Sequence, residues 1–89
     1  MRVITVLLTP SSGSPPTGPS GPVVEDVIWA HARPAEGLEH LTTKHVEQGL
    51  KLYFFVRSAS ETAAVTQVQT LLDRVRGQLS SHGFAINRG

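Results

Sequence analysis

Hydrophobic residues recur along this chain at two spacings, and the switches between them mark its elements. Residues 2–9 are dense in Val, Ile, Leu and Thr, and Pro10 ends them. β-Branched residues pack well on a pleated surface, so this is a strand, and apolar residues on both of its faces predict a central position. Positions 10–22 contain only Pro, Ser, Gly and Thr. With nothing to bury, they predict a flexible loop. Val23–Ala32 reads as a short helix, with Val24, Val27, Ile28 and His31 on one stripe. Pro22 suits its first turn, Glu25 and Asp26 suit its positive end, and Pro34 and Gly37 end it. Leu38–Val46 carries polar residues on both faces, Lys44 among them, as an exposed edge strand does. Glu47-Gln48-Gly49 makes a tight connection to Leu50.

Leu50–Arg57 holds three of the five aromatic residues and alternates two rows. Leu50, Leu52, Phe54 and Val56 form the row expected to face a core, and Lys51, Tyr53, Phe55 and Arg57 the row facing away. Ser58 or Ser60 then caps a long helix. Ala64, Val65, Val68, Leu71, Leu72, Val75 and Leu79 recur along it at steps of three and four. Gly77 weakens its last turns and Gly83 suits its C-terminal cap. Arg74 and Arg76, with Asp73 nearby, read as an unspecialised solvated face. Phe84-Ala85-Ile86 is a short last strand.

The order strand, helix, strand, strand, helix, strand is that of the split βαβ, or ferredoxin-like, plait. The expected fold class is therefore α+β: a four-stranded, mainly antiparallel sheet with two helices on one face. The most apolar strands, the first and third, belong at its centre. At 89 residues the chain has room for one domain, 1–89, interrupted by the loop at 10–22. A core this small leaves self-association a common supplement to stability.

Charge and composition narrow the function without naming it. Eight basic residues against seven acidic ones give a net charge of +1, which argues against a dominant electrostatic role on nucleic acid or membranes. The absence of cysteine excludes disulfides, thiolate metal sites and cysteine nucleophiles. The apolar run at the start is too short for a signal peptide, and no segment approaches a membrane span of about 20 apolar residues. A cytoplasmic protein is the default. Six arginines against two lysines, with frequent Ala, Val, Gly and Pro, hint at a high-GC bacterial source.

The candidate chemistry is sparse. His31 lies on the apolar helix stripe and reads as a packing residue. His40 and His45, five apart on a strand, face opposite sides and make no metal pair. No glycine-rich phosphate loop and no nucleophile elbow is present, so no catalytic residue, metal site or cofactor is expected. The unexplained residues are Tyr53 and Phe55 between the cations Lys51 and Arg57, an aromatic pair on the face turned away from the helices. Trp29 and His40 are further candidate contact residues.

In topology and length, and in Lys51, Tyr53, Phe55 and Val56, the chain resembles the RNA recognition motif. Leu52 and Phe54 stand where that motif carries small residues, and Ser58 where it carries its last aromatic. The resemblance implies single-strand RNA binding on Tyr53 and Phe55. In fold and size the chain also resembles dimeric plait enzymes of the antibiotic-biosynthesis monooxygenase kind. That likeness implies a substrate cavity walled by Trp29, His31, His40, His45 and Tyr53. The first expectation, ahead of both, is a non-enzymatic interaction or accessory module. It would form a homodimer or bind a protein partner through the open sheet face. A cofactor-independent enzyme or small-ligand binder comes second and RNA binding third.

Overall fold

The computed structural model describes residues 1–10 and 20–87. Four strands and two helices follow one another as β1 (Arg2–Pro10), α1 (Ser20–His31), β2 (Leu38–Val46), β3 (Gly49–Val56), α2 (Glu61–Ser81) and β4 (Phe84–Asn87). A 3₁₀ turn, Pro34–Glu36, joins α1 to β2. The fold is α+β, with an open four-stranded sheet in the order β2-β3-β1-β4 and every neighbouring pair antiparallel. β1 and β3 are central, and the polar β2 is an edge. Among the described residues, no helix is long and apolar enough to cross a membrane.

The register settles the two faces. Ile4 lies opposite Phe54, Val6 opposite Leu52 and Leu8 opposite Leu50, while β4 adds Ile86 beside Leu8. These side chains pack with Val24 and Ile28 of α1 and with Ala64, Val68, Leu71, Leu72, Val75 and Leu79 of α2 in one cluster centred on fully buried Phe54. Both helices therefore cover the same sheet face. Val65, expected in the α2 stripe, lies at its margin and is exposed.

The expected loop at 10–22 is trimmed at both ends. Pro10 closes β1, and α1 starts at Ser20 rather than Val23. Positions 11–19 lie outside the described residues. The early start has two physical reasons. Gly21 is buried, and any side chain there would meet the Thr43 hydroxyl, so this turn packs directly on β2. Pro22 loses nothing in the first turn, where amide groups lack helical partners. Glu25 thus stands in the second turn, and its carboxylate accepts a 2.8 Å hydrogen bond from Thr43 Oγ1 instead of serving the helix end.

Of the two candidate caps of α2, Ser60 serves: its Oγ accepts from the Ala63 amide at 3.1 Å. At the far end Gly83 takes φ +87°, a left-handed conformation suited to glycine. Gly77, inside α2, faces open space where an added Cβ would touch nothing. Gly77→Ala is therefore expected to stabilise the protein by about 0.5–1 kcal/mol, read as a higher urea midpoint with an unchanged slope.

Candidate functional site

The face away from the helices is a lattice of side chains in cross-strand rows. His40, Phe55 and Val3 form one row, Thr42, Tyr53 and Thr5 the next, and Lys44, Lys51 and Leu7 the third. The His40 and Phe55 rings lie 5.3 Å apart and tilted, and Lys51 Nζ sits 5.6 Å from the centre of the Tyr53 ring. Both distances suit attractive contacts, an aromatic pair and a cation–π pair. Tyr53, Phe55 and Leu7 are half-buried, while Val3 keeps 48% of its surface exposed. Lys44 and Lys51 stand directly opposite each other, an arrangement that repels. The strand register puts no carboxylate on this lattice. Glu39 lies in the β2 irregularity between Leu38 and His40 and is paired with Arg57 at 3.0 Å.

The expected contact residues divide into two groups. Lys51, Tyr53, Phe55 and His40 come together on the lattice. Arg57 follows the last residue of β3; its amide donates to the Gly37 carbonyl at 2.8 Å and its guanidinium reaches Glu39. Trp29 belongs to α1, beyond the other sheet face, so it shares no pocket with His40 or Tyr53. Trp29 and Arg57 instead line a groove of about 710 Å³, together with Arg33, Glu39, Ser58 and Gln67. No histidine lines that groove.

His31 Nδ1 lies 2.9 Å from the Val27 carbonyl in a half-buried setting. His40 pairs with Phe55 and His45 with Leu50, so the two belong to opposite faces. Among the described residues, no three His, Cys, Asp or Glu side chains converge as a metal site.

Beneath the groove lies a polar clamp. Arg74, expected on a solvated face, is mostly buried and binds Glu36 with two nitrogens, at 2.7 and 3.3 Å. The same guanidinium donates to the His31 carbonyl at 2.8 Å. Glu36, whose side chain is 6% exposed, also accepts the Arg33 amide at 2.8 Å. The Arg74 hydrogen bond holds the Glu36 carboxyl below its ordinary range; burial opposes the shift and the Arg33 amide assists it. Two helical turns earlier, Gln67 donates its side-chain amide to the Glu36 and Arg57 carbonyls at 2.7 and 3.1 Å. α2 thereby ties the 3₁₀ turn to the end of β3. Arg76, by contrast, lies on the exposed face, 2.8 Å from Asp73.

One sequence signal foreshadowed the clamp. Gln67 and Arg74 are seven residues apart and flank Leu71, so two long polar side chains edge the apolar stripe. Glu36 gave no comparable signal.

No family model matches this chain, and no curated protein and no solved structure shows significant similarity to it.

Proposed function

We propose that this chain is a small non-enzymatic interaction module, built on the ferredoxin-like plait, that self-associates through its open sheet face. The plait reading is supported by the strand order, the antiparallel neighbours and the placement of both helices on one face. The observation that carries the functional reading is the apolar patch on the central strands. Val3, Leu7, Tyr53 and Phe55 stay partly in water, although Leu50, Leu52, Phe54 and Val56 on the other side of β3 are buried. Aromatic anchors ringed by polar groups are the pattern of an interface centre.

A twofold axis parallel to the sheet, crossing the strands between the Tyr53 and Phe55 rows, sets the tyrosine row of one copy over the phenylalanine row of the other and keeps the two lysine rows apart. Tyr53 and Phe55 form the centre, with Lys51, Lys44 and Arg57 around it.

Sedimentation tests the reading. The native chain is expected to run as a dimer at about 100 µM, and Tyr53→Ser/Phe55→Ser as a folded monomer. A monomeric native chain, or a double variant of unchanged mass, would sink the proposal.

A second reading, binding of single-stranded RNA, is favoured by one observation: Lys44 faces Lys51 without an acid on the lattice, beside two stacking rings. It requires salt-sensitive shifts of the Tyr53 and Phe55 resonances on adding oligonucleotides, and their absence at low salt removes it.

A further inference from the structure

We propose that the groove beside Trp29 is a second binding site, separate from the open face, for a small planar aromatic carboxylate. Trp29 is the chain's one tryptophan, and 43% of it is exposed at the groove wall. Its indole N–H finds no acceptor among the described residues, and its ring packs against no other aromatic ring there. Folding therefore leaves both a flat apolar face and a donor unused, which is how an aromatic residue reads a ring with a polar edge.

Two arginines line the groove. Arg33 makes no side-chain hydrogen bond among the described residues. Arg57 spends one nitrogen on Glu39 and keeps further donors. Counting Glu39, the lining residues carry one cation in excess. A guanidinium fork matches a planar carboxylate with two parallel hydrogen bonds, so the surplus charge and its geometry select that group.

The walls are already in place. The Glu36–Arg74 pair, the two Gln67 bonds and the amide bond from Arg57 to Gly37 tie the 3₁₀ turn, α2 and the end of β3 together. A preformed space of about 710 Å³ falls in the range that small ligands fill. A fixed wall also spares the cost of ordering on binding.

The test is a titration of the full chain with 2-naphthoate, followed by the single Trp29 indole N–H resonance and the backbone amides. Saturable shifts at Trp29, Arg33 and Arg57 are expected. The neutral isostere 2-naphthamide should bind about tenfold more weakly, the usual loss of a charge-assisted bond. Arg33→Gln should weaken naphthoate to a similar degree, whereas Arg76→Gln, on the exposed side of α2 away from the groove, should leave it unchanged. Arg33 is exposed and makes no side-chain hydrogen bond among the described residues, contributing only a minor attraction to Glu36, so that variant is expected to fold. Equal binding of acid and amide, no saturation, shifts centred on Tyr53 and Phe55, or an indifferent Arg33→Gln would each overturn the proposal.

Discussion

Arg74→Met is expected to lower the melting temperature by roughly 10–20 °C. The change keeps most of the side chain's apolar length but strands the Glu36 carboxylate, which is almost wholly shielded from water. Breaking a buried pair on one side costs far more than the pair contributes, because the surviving charge stays desolvated. Glu36→Gln placed on top of Arg74→Met should therefore recover part of the loss. The pH dependence gives an independent reading. In the native chain the Glu36 pKa is lowered. The stability it supplies is complete above the unfolded carboxyl value and is lost as pH falls through the lower folded value. Without Arg74 the largest influence lowering the Glu36 pKa is gone and burial is opposed only by the Arg33 amide and charge, so the variant should lose less stability in acid than the native chain. Equal acid sensitivity of the two proteins, measured by denaturant midpoints across that range, would show that the pair is not coupled to folding.

Gly49→Ala is expected to cost about 3 kcal/mol, combining backbone strain and overpacking. Gly49 opens β3 just after the two-residue Glu47-Gln48 turn, opposite Val46. Its φ of +152° is open to glycine and strained for any L side chain. A Cβ there would also overlap the Leu8 carbonyl of β1, a backbone atom with nowhere to go. Relief would require β1 and β3 to separate, and these are the two central strands of the sheet. A domain of this length has roughly 5–13 kcal/mol of stability in all, so the loss is a large share of it. The contrast with Gly77→Ala makes the measurement sharp. The same added methyl group should move the urea midpoint down at position 49 and up at position 77. A neutral or stabilising Gly49→Ala would mean that the close approach to Leu8 is absent.

Much of this architecture is legible in local pattern. Leu38–Val46 declares itself an edge strand through Lys44 and its paired threonines, and the alternation from Leu50 to Val56 separates core from open face residue by residue. α2 is legible because seven apolar residues repeat over more than four turns. The start of α1 is not, because Gly21 and Pro22 look like loop until Thr43, more than twenty residues away, shows what Gly21 packs against. Glu36 is hidden for the same reason. It lies in a short connection of Pro, Ala, Glu and Gly, and its partner Arg74 is 38 positions further on. Periodicity reports which side of an element is apolar. It carries no information about which polar side chain on one element meets which on another. The contact residues divide likewise. Lys51, Tyr53 and Phe55 share one strand and are read together, and His40 reaches Phe55 through the β2–β3 register. Trp29 and Arg57 meet at the groove only through the packing of α1 and the turn after it.

The central place of β1 also bears on the nascent and denatured chain. Both of its partners, β3 and β4, follow the whole of α1 and β2 in sequence. Until β3 has been synthesised, the uncharged run Val3-Ile4-Thr5-Val6-Leu7-Leu8 has no strand to pair with, yet it is rich in β-branched residues and apolar on both faces. Such a segment is a template for pairing between chains. Arg2 and Pro10 bracket it, a charge before and a residue without an amide donor after, and these are the residue types that block stacking of one copy on the next. The strand that organises the finished sheet is thus also the chain's principal aggregation hazard, held in check by its two ends.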